Sequence, residues 1–145
     1  MASKNPNYKL YQTKDFALSM DGDLILGADG DLLTITGPAT LQQEIVFRLK
    51  TKQGDYLYFP QCGASLEDLV GLPNSEDTAN EGVYLIQNAL THDGLIPVEA
   101  LTVTAYPMDE QTIVFQILVD LSYFAYENEY LSLQISLSLL EGLIL

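Results

Sequence analysis

Between Leu101 and Leu139 apolar side chains recur at every second position in three separate runs, which commits the last third of the chain to β-strands. Leu101, Val103 and Ala105 alternate with Thr102, Thr104 and Tyr106. After the turn-forming segment Pro107-Met-Asp-Glu-Gln111 come Ile113, Phe115, Ile117, Val119 and Leu121. The third run is the cleanest: Leu131, Leu133, Ile135, Leu137 and Leu139 face one way, and Ser132, Gln134, Ser136 and Ser138 the other. Successive strand residues point to opposite faces, so each run offers one face to a core and one to solvent.

The residues before it follow a different period. Leu41, Ile45 and Leu49, widened by Val46, share one face of a helix. Thr40 is its expected N-cap, with Gln43 completing a capping box, and Gln53-Gly54 its expected end. Glu44 and Arg48 are expected to pair on its surface. Lys50 and Lys52 are expected in its last turn, complementing the helix dipole. A second helix is capped by Asn74 or Ser75, carries Ala79, Val83, Ile86 and Leu90 on one face, and stops at Asp93-Gly94. Upstream, strand signals at 15–20, 24–26 and 32–36 are separated by Asp21-Gly22 and Asp29-Gly30, a dipeptide suited to the positive φ of hairpin turns. Residues 56–59 read as a short aromatic strand stopped by Pro60, and Ser65 as the cap of a one-turn helix. The expected fold class is α+β: an antiparallel sheet with two main helices on one face, an N-terminal β-hairpin and an extra C-terminal strand. Residues 1–14 read as a polar arm, 15–121 as the body and 122–145 as a C-terminal strand extension.

A chain of 145 residues fits one domain with its own core. No apolar run approaches the ~20 residues that span a bilayer, and the N-terminal residues lack the apolar stretch of a secretory leader. Cys62 is the only cysteine, so no internal disulfide is expected, in keeping with a reducing cytoplasm. The net charge of −14 is unevenly placed. All six basic residues (Lys4, Lys9, Lys14, Arg48, Lys50 and Lys52) lie within the first 52 positions, where six carboxylates balance them. The other fourteen carboxylates follow with no Lys or Arg among them. A surface of that sign repels phosphate, which argues against nucleic acid and suits a partner with a basic face.

Catalytic and metal patterns are weak. An EF-hand loop that puts Gly30 at its sixth position would start on Ile25, which cannot ligate calcium. His92 and Cys62 form a dyad only if folding brings them together, and His92 sits where a histidine commonly meets helix carbonyls. Glu67, Asp68, Asp109 and Glu110 lie beside turns and caps, and none stands out as half of a glycosidase pair. Phosphate-binding loops are absent, and no cofactor is expected. The C-terminal segment, Leu139-Leu-Glu-Gly-Leu-Ile-Leu145, is unusually apolar. Either it folds back over the core or another chain covers it.

Taken in order, these segments resemble one family. Asp15-Phe-Ala-Leu18 is followed by Asp29-Gly-Asp-Leu-Leu-Thr-Ile35 and by the helix through Leu49. Then come Lys52-Gln-Gly-Asp-Tyr-Leu-Tyr-Phe-Pro60, Cys62-Gly-Ala-Ser-Leu-Glu-Asp-Leu69, a helix and two strands. This resembles the phage contractile-tail baseplate wedge proteins, or sheath initiators, of the protein W–gene product twenty-five type. The resemblance covers about three-quarters of the chain. It implies a non-enzymatic virion protein of the tail baseplate, assembled in the host cytoplasm, that templates the first sheath ring and joins sheath to wedge by strand addition. The implied partners are the tail sheath protein and baseplate wedge proteins, with the tail tube or hub as a further neighbour, and neither nucleic acid nor membrane. A cell-wall hydrolase and the corresponding part of a type VI secretion or other contractile injection system are the alternatives. Where many members carry a wedge-docking Glu-Pro-Arg, this chain reads Leu95-Ile-Pro97-Val, keeping only Pro97. The expected contact residues are therefore Arg48, Lys50, Lys52 and Pro97, the strand residues Leu131, Leu133, Ile135 and Leu137, and the terminal Leu143, Ile144 and Leu145.

Overall fold

The computed structural model describes residues 15–144 apart from 20–22, 36, 56, 59 and 125–128. The expected arm (1–14), the Asp21-Gly22 turn, Tyr56, Phe59 and Leu145 lie outside the described residues.

The three alternating runs form the sheet that their periodicity predicts. Strands β3 (Leu101–Pro107), β4 (Thr112–Asp120), β5 (Tyr130–Ser138) and β6 (Gly142–Ile144) make an antiparallel meander in chain order. Helices α1 (Pro38–Lys50) and α2 (Glu76–Thr91) supply the other wall of the core. Ile113, Phe115, Ile117 and Val119 of β4 are fully buried between them, together with Leu137 of β5, Ile45 of α1 and Ile86 of α2. A shorter pair, β1 (Asp15–Phe16) with β2 (Thr34–Ile35), forms the N-terminal hairpin. Single bridges Leu18–Leu24 and Leu26–Leu32 extend it. The expected Asp29-Gly30 turn is present, with Gly30 at φ 85°.

Segment 122–145 is no appendage. It supplies two of the four sheet strands, and β5 pairs with β4 along its whole length. The apolar C-terminal segment does fold back: Gly142, Leu143 and Ile144 pair with Ser138, Leu137 and Ser136.

Several boundaries differ from the sequence expectation. Helix α1 begins at Pro38 behind Gly37, so Thr40 lies inside it and is not its cap. Gln43 serves the hairpin instead. Its Nε2 donates to Phe16 O at 2.9 Å and its Oε1 accepts from Leu18 N at 2.8 Å, so one side-chain amide stands in for a neighbouring strand. The helix stops at Lys50 because Thr51 is extended there, its hydroxyl bonded to Phe47 O. Leu57 and Tyr58 form no strand. Both lie in turns and are 84% exposed, so aromatic content alone did not make a strand without a sheet edge to join. Ser65 is left-handed at φ 55° and leads a short 3-10 turn, Leu66–Leu69, without capping it.

Helix α2 is capped by Ser75, whose hydroxyl accepts from Thr78 N. Its buried stripe is Thr78, Gly82, Ile86, Ala89 and Leu90, rotated from the predicted one, so Ala79 and Val83 fall at its margin. Gly82 explains the rotation. A Cβ there would run into the Phe115 ring, and the missing side chain lets the helix settle onto β4. Gly82→Ala is therefore expected to destabilise despite better helix propensity. Overpacking costs about 1–3 kcal/mol and propensity returns up to ~1, for a net loss of up to about 2 kcal/mol in a denaturant melt. Combined with Phe115→Leu, the two losses should sum to less than their separate values, because the smaller side chain makes room for the methyl.

Candidate functional site

A strand in an antiparallel sheet spends alternate residues on alternate neighbours, so two bonds at the ends of a pair fix the pattern between them. Leu121 N donates to Glu129 O at 3.0 Å, and Leu139 N donates to Gln111 O at 2.7 Å. Both bonds lie on the β4–β5 register. The odd-numbered residues of β5 therefore bond to β4, and the even-numbered ones turn their N–H and C=O groups away from it. Of those, Ser136 and Ser138 meet Ile144 and Gly142 of β6. Tyr130, Ser132 and Gln134 face outward with no strand beside them among the described residues. Their side chains are exposed, and Gln134 Nε2 donates to Tyr106 Oη at 3.0 Å across the solvent face of β4. Among the described residues the upper part of β5 is thus an open edge about five residues long.

This arrangement reassigns the expected contact residues. Ile135 and Leu137 are buried in the core, and Leu131 and Leu133 are half-buried against it, so these side chains hold the sheet to the helices. What β5 offers a neighbour is the backbone of the serines and glutamine between them. The alternation in the sequence separated the two faces, but it carried no sign of which backbone groups would turn outward. Leu143 packs on the core margin, and Ile144 lies within β6. Pro97 is half-buried and leads the 3-10 turn Val98–Ala100, its carbonyl accepting from Ala100 N.

The three basic residues separate. Arg48 is buried and is not the surface cation expected. Its Nε donates to Glu44 at 3.1 Å, its Nη1 to Ala89 O and Asp93 Oδ1 at 2.9 Å each, and its Nη2 to Asp93 Oδ2 at 2.7 Å. This fork ties the end of α1 to the end of α2. Asp93 Oδ1 also accepts from Leu95 N, which sets the turn into the buried Leu95-Ile96. Burial pulls the guanidinium pKa down, but the bonds and charges of Asp93 and Glu44 outweigh it and raise the pKa overall. Asp93 is held below the usual carboxylate range, chiefly by the Arg48 hydrogen bond, against partial burial. Lys50 and Lys52 are exposed, and Lys52 Nζ lies 3.6 Å from Asp68. As a contact between exposed groups, that pair adds little to stability.

Cys62 and His92 both line a hollow of about 970 Å³ beside Arg48 and Asp93. Burial pushes the Cys62 thiol up, against the pull of Arg48, which disfavours a nucleophilic thiolate. His92 Nδ1 lies 3.0 Å from Asn88 O, the helix-carbonyl contact its position suggested. Among the described residues no group of three or more His, Cys, Asp or Glu is placed to hold a metal. Glu67 and Asp68 sit on the 3-10 turn and Asp109 and Glu110 on the β3–β4 turn, all exposed. No described helix is long and apolar enough to cross a membrane. The hairpin adds an apolar surface of its own: Phe16, Leu18, Leu24, Leu26, Leu32 and Leu33 are all exposed. No family model matches the chain, and none of the curated proteins compared with it does.

The Arg48 fork makes a pH-dependent prediction. Asp93→Asn leaves a buried cation short of its partner and should cost about 2–3 kcal/mol at neutral pH. Because the folded-state pKa of Asp93 is depressed, its contribution is full above the ordinary carboxylate value. It fades as pH falls through the lowered folded value. Melting curves of the two proteins should therefore converge in acid, and a difference that persists unchanged there would refute the role given to the ion pair.

Proposed function

We propose that this chain is a non-enzymatic structural component of a contractile tail baseplate, templating the first sheath ring and joining sheath to wedge by strand addition. The observation that carries this reading is the open outer edge of β5, where the N–H and C=O groups of Tyr130, Ser132 and Gln134 have no strand neighbour among the described residues. An extended segment laid there gains main-chain hydrogen bonds, which give affinity without demanding particular side chains. The edge carries no Lys and no Pro of the kind that guards against casual pairing. The order of sequence segments described above supports the assignment to a baseplate wedge.

In this reading the tail sheath protein supplies the added strand, and wedge proteins meet the rest of the surface. The fourteen carboxylates beyond Gln53 suit neighbours with basic faces. Lys50 and Lys52 are exposed cations that suit acidic ones. Wedge docking without Glu-Pro-Arg would rest on apolar contact, for which the exposed leucines of the hairpin are the candidates. The working place is the virion's tail baseplate, reached by assembly in the host cytoplasm.

The test follows the alternation of backbone groups. Ser132→Pro removes an outward donor and leaves the β4 ladder whole, whereas Leu133→Pro would break that ladder. Ser132→Ala keeps the donor and serves as control. With the purified variants folded, Ser132→Pro is expected to cut the yield of sheathed particles in electron micrographs by about tenfold, the loss from ~1.4 kcal/mol of binding. Ser132→Ala should match the parent. Normal sheath assembly on a folded Ser132→Pro protein would falsify the proposal.

A further inference from the structure

The opposite border of the sheet has a feature that β5 lacks. Beside β3 lies a hollow of about 1020 Å³. Its strand wall includes Val103 and Ala105, which point to the core face, and Thr104, which points to the other. A void that touches both faces of one strand must run along its edge. Its far wall is α2, through Ala79, Asn80 and Val83. A smaller hollow of about 230 Å³ continues the same helical stripe through Tyr84, Gln87 and Thr91 to Leu101. Strand edge and helix are therefore the two sides of one trough.

The backbone groups turned into this trough follow from the ladder. Met108 N donates to Thr112 O at 2.9 Å, on the β3–β4 register. Even-numbered residues of β3 thus bond to β4, and odd-numbered ones face the trough. Leu101 N is taken by Val98 O. Val103 and Ala105 have no backbone partner among the described residues, so donor and acceptor are open to a neighbour, with the carbonyls of Leu101 and Pro107 on either side. The register runs without a bulge from Leu101 to Pro107, and the strand carries no charged residue to guard it.

Charge decides what fits. Glu76, Asp109 and Glu110 line one end, are exposed, and join no ion pair among the described residues. The chain has no Lys or Arg beyond Lys52, so no cation of this half of the sequence can balance them. We infer that the trough between α2 and the free edge of β3 binds an extended segment of a partner protein, aliphatic residues alternating with Lys or Arg, and adds it to the sheet as a further strand. The aliphatic side chains would lie against Ala79 and Val83, and the basic ones at the acidic end. This goes beyond the role proposed above, which uses the other edge, and does not depend on it.

The probe is an acetylated, amidated heptapeptide alternating Val with Lys, titrated into the isotope-labelled full chain and followed by amide NMR. The Val103 and Ala105 resonances should shift and their amides become protected from exchange, whether or not Ser132 and Gln134 also respond. Ala105→Pro removes one donor, and Asn80→Trp fills the trough from an exposed helix position that leaves the sheet intact. Each should weaken binding by about tenfold. The same peptide with Glu in place of Lys should not bind. The inference is overturned by absence of binding, by shifts confined to Ser132 and Gln134, or by a folded Asn80→Trp protein that binds like the parent. None of these outcomes bears on sheath assembly by Ser132→Pro, so the two proposals fail separately.

Discussion

Backbone pairing in an antiparallel strand is one-sided at every residue, and this constraint organises both ends of the sheet. In β5 the odd residues are committed to β4 through both backbone and side chain, because their apolar groups also face the helices. The even residues are left with small or polar side chains and with backbone groups aimed at whatever lies beyond. Among the described residues, three residues of β6 satisfy two of them and no more. At β3 the parity is reversed. There the residues facing the core are also the ones whose backbone groups face outward. Core packing and edge display are thus set by the same alternation, and neither can shift by one residue without undoing the other.

The helices are held to this sheet by two devices with little overlap. Close packing of Gly82 on Phe115 brings α2 down onto β4. The Arg48 fork locks the ends of α1 and α2 together and leads into the Leu95-Ile96 turn before β3. A third contact, the Gln43 amide on Phe16 and Leu18, ties the N-terminal hairpin to α1. Apart from Ala17, the described hairpin side chains contribute little to the core, so its leucines remain on the surface. Apolar hairpin, acidic trough and neutral β5 edge are three surfaces of different character on one small domain.

Much of this was legible in the sequence, and what was not has physical reasons. Period-two alternation placed β3, β4 and β5, and Leu41, Ile45 and Leu49 placed the buried face of α1, because both signals are local. Gln43 was misread because a capping box and a bond to a distant strand use the same amide, and only the fold decides between them. Arg48 and Asp93 lie 45 positions apart, so their pairing leaves no trace in local spacing. Glu44, four residues away, was visible as a partner, though the guanidinium proved buried. Residues 56–59 have strand-like composition, yet Leu57 and Tyr58 occupy turns, since β propensity is mostly a preference for a half-buried surface that must be present. The backbone groups of Ser132 and Gln134 could not be singled out beforehand, because alternation fixes a side chain's face and leaves the direction of its N–H open.

Residue-resolved amide hydrogen exchange on the isolated chain tests the open-edge claim most directly. Along β5 the account expects a two-residue rhythm. Leu131 and Leu133 should exchange slowly, Ser132 and Gln134 faster by about two orders of magnitude or more, and Ser136 and Ser138 slowly again under β6. Uniform protection from Leu131 to Ser138 would mean that the strand already has a neighbour on both sides, and the account would be wrong.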